Sequence, residues 1–289
     1  MHLVSNARLA CARAIVLLSA LFVAGCAGNV SPEVYMRLTE DLLSKGHLRV
    51  DPAPKDAPIN STGLARSFRD VTFSYEFHFD GDRIVNERLE KPLKRWRGVI
   101  RYKLIGDAYT AQDEAEIAEL TQRIGDLTGL WFLRTDKAHD MLISVAGPKG
   151  RENVSSYLAE RGMPVYRQRY DIWRRTPEWM CGATLSASNA DPGRLVFAHI
   201  FIRSEVSGLL RKACLQEEII QSLGLTNDSD AARPSIFNDD QEFAVMTRHD
   251  ELLLRALYDP RLRTGMTVDQ AMPIAEEILK DLSTSPKQL

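Results

Sequence analysis

Apolar residues along the chain recur with two spacings, one helical and one of strands. Ser31-Pro32-Glu33 opens a helix, with Ser as N-cap and Pro in the first turn; Val34, Leu38 and Leu42 follow on one face and Gly46 stops it. Residues 50–58 are proline-rich and predict an extended spacer. Val71, Phe73, Tyr75, Phe77 and Phe79 alternate with other residues, which predicts a half-buried strand over 71–79 and a turn at Asp80-Gly81-Asp82. A second strand is expected over 99–105, entered through Trp96, then an amphipathic helix over 111–129 with Ile117, Leu120, Ile124 and Leu127 inward. A third strand is expected over 140–145. The order strand, helix, strand implies a crossover and a mostly parallel sheet. Residues 146–180 are polar and aromatic and read either as a lid or as surface covering with its own small cluster. Residues 195–202 are strongly apolar and predict a central or near-central strand. Ser204 is then expected to cap a helix, and two more helices follow, over 240–257 and 269–282.

Composition adds little to that outline. Of 289 residues, 44% are hydrophobic and 26% charged, and the net charge is −2, which fits an ordinary globular body and gives no electrostatic footprint for nucleic acid. The Lys and Arg residues near 91–103 alternate with apolar ones and read as the solvent face of a strand. The first residues change the picture more. Arg8 and Arg13 precede an apolar run over 14–24 that is short for a bilayer span, and the run ends Val23-Ala24-Gly25-Cys26. That ending resembles the lipobox of bacterial lipoproteins, which implies acylation of Cys26 and a membrane anchor. Ala27, where inner-membrane retention would use Asp, implies the outer membrane. An ordinary signal peptide or an N-terminal membrane helix is the alternative. Cys181 and Cys214 then remain as an even pair in an oxidising compartment, either joined as a disulfide or buried as free thiols.

The chemistry concentrates in one predicted helix. Val206, Leu210, Ala213 and Cys214 lie on one arc at 100° steps, and Glu217, Gln221 and Gly224 fall in the middle of it. A buried carboxylate needs partners or a raised pKa, so these residues form either a functional site or a structural polar network. Glu217, Glu218, Gln221, Gly224 and Asn227 also stand at the offsets of the zinc-peptidase signature H-E-x-x-H-x-x-G-x-x-H. Glu218 and Gly224 keep their type, while the three ligand positions, Glu217, Gln221 and Asn227, lack imidazole. Neutral amides are weak zinc donors, so no cofactor is expected; one carboxylate with two amides suits a hard cation, and only loosely. The six His residues are scattered, with His249 expected as a capping or surface residue. Asp228, Asp230, Asp239 and Asp240 form acidic clusters best read as Asx turns and caps, Phe237 stands where such peptidases place a turn Met, and Met246 reads as core.

Several segments closely resemble the bacterial family catalogued as domain of unknown function 2927. They are Cys214-Leu-Gln-Glu-Glu-Ile-Ile-Gln-Ser-Leu-Gly224, Asn227-Asp228, Ser235-Ile-Phe-Asn-Asp-Asp240, His249-Asp250, Leu257-Tyr-Asp-Pro-Arg-Leu and Gly265-Met266. The resemblance implies a secreted setting and adds no mechanism.

The expectation is therefore an α+β, zincin-like fold: a mixed twisted sheet packed on helices around a degenerate H-E-x-x-H-like helix. Residues 1–25 read as a signal peptide, 26–63 as a lipid-anchored tether with a short helix, and 64–289 as one globular domain. The expected function is that of a periplasm-facing envelope module, probing a peptide or protein partner through a peptidase-like groove without catalysis. The alternative is a divergent hydrolase with Glu218 as general base, and Glu217, Gln221 or Asp228 orienting substrate or a cation.

Overall fold

The computed structural model describes residues 31–284 apart from 239. Cys26 and the segment expected to be a signal peptide lie outside the described residues. In chain order the elements are α1 (Pro32–Ser44), α2 (Ser61–Thr72), β1 (Ser74–Tyr75), β2 (His78–Asp80), β3 (Arg83–Val85), β4 (Leu89–Glu90), β5 (Val99–Ile105), α3 (Ala111–Thr128), β6 (Trp131–Arg134), β7 (Met141–Ala146), α4 (Pro148–Glu160), α5 (Pro164–Trp173), β8 (Cys181–Ala187), β9 (Leu195–Arg203), α6 (Gly208–Gln221), α7 (Arg248–Leu257) and α8 (Val268–Thr284). No helix among the described residues is long and apolar enough to cross a membrane.

The fold is mixed α/β. Its main sheet has five strands in the order β6-β5-β7-β9-β8. The first four pair in parallel, and β8 runs antiparallel to β9 at the edge. Alternation along β7 divides the interior. Met141, Ile143 and Val145 enter the main core with α3 and α6, while Leu142 and Ala146 meet Val154, Leu158, Tyr170 and Trp173 of α4 and α5. The chain crosses from β5 through α3 to a parallel neighbour as expected, but it returns first to the unexpected edge strand β6 and only then to β7, the strand expected over 140–145. Helix α3 is fixed at its start by a reciprocal capping box between Thr110 and Asp113.

Several expectations need correction. Residues 71–79 do not form one strand. Asn60 caps Gly63 N–H, and Leu64, Phe68 and Val71 recur at helical spacing and are buried, so α2 runs through Thr72 before the short strands begin. The basic residues near 91 are not all on a solvent face: Lys91 is 7% exposed. Arg95 donates to the carbonyls of Leu257, Asp259 and Leu262. Residues 146–180 contain α4 and α5, and of the two readings the packing of these helices against β7 and β9 agrees with the covering that has its own cluster. The helix expected from residue 240 starts only at Arg248, where Thr247 and Asp250 make a second capping box. His249 is buried, with Nδ1 at 3.7 Å from Asp250 Oδ1. Ser204 does not cap α6. Its hydroxyl donates to Glu205, and the N-cap position is Ser207.

From residue 31 the expected tether lies against the body. Tyr35 Oη donates to Pro177 O at 2.8 Å, and Leu48 N–H and Arg49 N–H donate to Gln241 O and Glu242 O. Strands β6 and β8 were not foreseen, because β6 is four residues long and β8 reads Cys-Gly-Ala-Thr-Leu-Ser-Ala, with few of the residues that favour strands.

Candidate functional site

Helix α6 is buried on all sides from Ala213 onward. Its first half is held by satisfied polar contacts. Arg211 pairs with Asp113 at 2.5 Å and also donates to Ala108 O, and Lys212 pairs with Glu116 at 2.7 Å. Gln216 bridges outward, donating to Glu116 and accepting from Met246 N–H at 2.7 Å. Cys214 is joined to Cys181 by a disulfide with Cα atoms 6.0 Å apart, which ties α6 to the start of edge strand β8.

The C-terminal end of α6 is closed by side-chain donors. Ser222 O accepts from Trp96 Nε1 at 2.8 Å, and Leu223 O from Tyr258 Oη at 2.9 Å. Gly224 O accepts from Lys91 Nζ at 3.3 Å, and the same ammonium donates to Thr72 O. These donors satisfy carbonyls that a helix end otherwise leaves open, and a cation suits that pole of the dipole. Burial, reinforced by nearby Lys94, pulls the Lys91 ammonium down to about 7. Gly224 has φ +123°, and a Cβ there would stand 2.2 Å from Lys94 O. Only glycine fits at this point, where the chain leaves the helix.

Past that turn, Thr226 Oγ1 donates to Ser74 O and Thr226 O accepts from Glu76 N–H. The chain is thereby laid against the segment after β1. Asn227 is buried, and its amide donates to Asp70 O and Asp228 O. Gln221 Nε2 donates to Asp228 Oδ1 at 2.8 Å. Glu217 is buried on the same helix, at 8% exposure. Glu218 is 6% exposed, not near the edge of the buried face as its angle implies, and its Oε2 has no hydrogen-bond partner. The covering comes from Glu76 and the 226–228 segment, which pack over a helix side that periodicity alone leaves open. Burial, with the charges of Glu76 and Asp228 added, holds the Glu218 carboxyl well above the usual carboxylate range. The structure therefore brings together Glu218, Asp228 and Gln221 with Glu76, a residue that sequence reasoning assigned to a strand.

Gln221, Thr226 and Glu76 form part of the wall of a groove of about 430 Å³. The opposite wall is β8, through residues 183–187. Arg203 N–H donates to Met180 O, which sets the phase of the β8–β9 ladder. Gly182 and Thr184 thus turn their backbone groups toward β9, and Cys181, Ala183 and Leu185 turn theirs outward. Among the described residues no strand pairs with that outer edge. His78, Lys94 and Arg169 also line the groove. Sequence reasoning missed all three, and their signal was weak: His78 stands between Phe77 and Phe79, but Lys94 and Arg169 have polar neighbours in sequence, and the three meet only through tertiary folding.

The loop after the site is structural. Asp250 is fully buried and accepts from Ser235 Oγ, Ile236 N–H and Thr247 N–H. Asp240 and Asn238 cap nearby N–H groups as Asx turns, and Phe237 and Met246 are core; residue 239 lies outside the described residues. The donor set does not fit zinc. The amide nitrogens of Gln221 and Asn227 are committed to protein acceptors, amide oxygens are poor zinc ligands, and no group of three His, Cys, Asp or Glu suited to a metal occurs among the described residues.

No curated protein matches the chain. A family model described as "Protein of unknown function (DUF2927)" matches residues 61–277, from the start of α2 into α8 and across the whole site. On that match over most of its length, the chain belongs to the family described as Protein of unknown function (DUF2927).

Proposed function

We propose that this chain is an envelope protein, anchored through a lipid on Cys26 at the periplasmic face of the outer membrane, whose domain is a zincin-like scaffold used for binding rather than catalysis. The ligand is an extended peptide segment of an envelope partner, added as a strand to the free edge of β8. The observation that carries the reading is that unpaired edge, lying along a groove whose other wall holds Gln221 and Glu76. The disulfide supports an oxidising compartment, and it also holds the edge strand to α6, so the two walls are pre-set before a ligand arrives. The zincin likeness is supported by the order β5, α3, β6, β7 and then, after the inserted α4 and α5, β8, β9 and α6, by the antiparallel edge strand beside α6, and by the glycine turn that follows it. Fold likeness by itself assigns no activity.

The hydrolase reading needs Glu218 ionised near neutral pH and in contact with water. Its burial opposes contact with water, and burial with the charges of Glu76 and Asp228 favours its protonated form.

Two variants test the proposal. Ala183→Pro removes one outward N–H from the edge while leaving the β8–β9 ladder intact, since proline is tolerated where the N–H faces away from the sheet. Strand-forming peptides are titrated by fluorescence anisotropy. Binding to wild type that survives in Glu218→Gln and is lost in Ala183→Pro is expected. Turnover of a quenched peptide library by wild type, with or without added Zn²⁺, Mg²⁺ or Ca²⁺, and its loss in Glu218→Gln, would overturn the proposal in favour of a hydrolase.

A further inference from the structure

The charge on the groove walls narrows the ligand. Two full cations line it, Lys94 and Arg169. Lys94 Nζ donates to Tyr75 Oη at 2.9 Å and lies 5.5 Å from the centre of the Tyr75 ring. The Arg169 guanidinium lies 5.4 Å from the centre of the Phe79 ring. Among the described residues neither has a carboxylate within ion-pair distance, although most arginines of the body do. Each is instead propped on an aromatic face, an arrangement that holds a cation in place while leaving its charge uncompensated. Glu76 is the one carboxylate among the described lining residues, and its charge acts on Glu218 in the buried floor. His78 and Thr184 also line the groove, and the buried atoms His78 Nδ1 and Thr184 Oγ1 have no hydrogen-bond partner.

The spacing is as informative as the sign. Tyr75 and Phe79, which carry the two cations, are four residues apart on a chain that is extended at both ends. Four extended residues span at most about 13 Å. A strand paired with β8 would therefore bring side chains two to about four positions apart, which share one face of a strand, to the two cations.

We infer that the groove selects acidic extended peptides, with Lys94 and Arg169 each receiving a carboxylate from residues two to about four positions apart on one face of the bound strand. This inference rests on the strand-addition reading above and adds the ligand's chemistry to it. Aspartate or glutamate side chains and a C-terminal carboxylate present the same group, and an anionic polysaccharide would present it without backbone donors for β8.

The test uses the purified full chain and labelled decapeptides of alternating Val and Thr that carry two Asp, two Asn or two Lys two or four positions apart, each made with a free or an amidated C-terminus. Anisotropy titrations at low and high salt give the affinities. The Asp peptides are expected to bind at least tenfold tighter than the Asn peptides at low salt, with the gap narrowing at high salt. Lys94→Gln and Arg169→Gln should each remove most of that advantage and leave the Asn peptide unchanged. An amidated Asp peptide that keeps the advantage assigns it to side chains; loss on amidation assigns it to the terminus. Equal binding of Asp and Asn peptides, with both abolished by Ala183→Pro, would sink the inference and leave strand addition standing. Binding of polygalacturonate with no peptide binding at all would sink both.

Discussion

The two halves of α6 are built on opposite terms. From Arg211 to Gln216 each polar side chain has a defined partner across the helix interface, and Cys214 adds a covalent bond. From Glu217 onward the polar side chains are more deeply buried than Arg211 and Lys212, yet Glu218 keeps an oxygen without a partner and has two further acidic residues near it. The first half is a fastening. The second resembles a site in its composition and in the strain of its electrostatics, because a fold gains nothing in stability from an unpaired buried carboxyl. Where a chain keeps such an arrangement, the groove in front of it is the natural place to look for the reason.

The contrast can be broken from either side. The largest effect is expected from the fastened half. Replacing both Cys181 and Cys214 by Ala opens a loop with a sequence separation of 33. It should cost about 3–4 kcal/mol in the chain-entropy account, read from urea unfolding of the oxidised and substituted proteins. At the far end, Gly224→Ala forces a side chain against Lys94 O at a positive φ. A loss of about 2–3 kcal/mol is expected, together with loosening of the groove, visible as faster amide exchange around 224–228. Arg211→Ala leaves Asp113 buried beside an empty space, and a loss of about 2 kcal/mol is expected in the same unfolding assay.

The smallest effect has the opposite sign and sharpens the contrast most. Glu218 holds its proton in the folded chain at pH values where the unfolded chain, with an ordinary value of 4.5, has released it. Its contribution to stability is therefore complete below about 4.5 and is lost as pH rises toward the raised folded-state pKa. Glu218→Gln removes this dependence and can donate to Asp228 or Glu76. The variant should match wild type in melting temperature near pH 4 and exceed it as pH rises above that. A variant that melts lower than wild type at pH 8 would mean that Glu218 is ionised and paired, and the second half of the helix would then be a fastening too.

Much of the framework was legible in the chain. The helix over 111–128 and the strands at 99–105, 141–146 and 195–203 follow from apolar periodicity, because a parallel sheet buried on both faces leaves long apolar runs and an amphipathic helix leaves a stripe. The placement of Glu217 and Gln221 inside the buried arc was legible for the same reason. What periodicity hid was the company these residues keep. Glu76 sits in a segment that alternates like a strand and is drawn to Glu218 only because Thr226 accepts from its N–H. Lys91 looked like a surface residue and is instead the donor that closes the end of α6.

The sequence by itself determined that Glu217 and Gln221 would be buried and that Cys181 and Cys214 were available to join, since residue type and helical spacing are local properties. Only the tertiary structure decided that β8 would be an edge strand with one side unpaired, that Lys94 and Arg169 would share its groove, and that Glu218 would be shut in with two acidic neighbours. Those outcomes depend on the meeting of segments distant in sequence, such as those of Lys94 and Arg169 and of Glu76 and Glu218, and no local pattern carries that information.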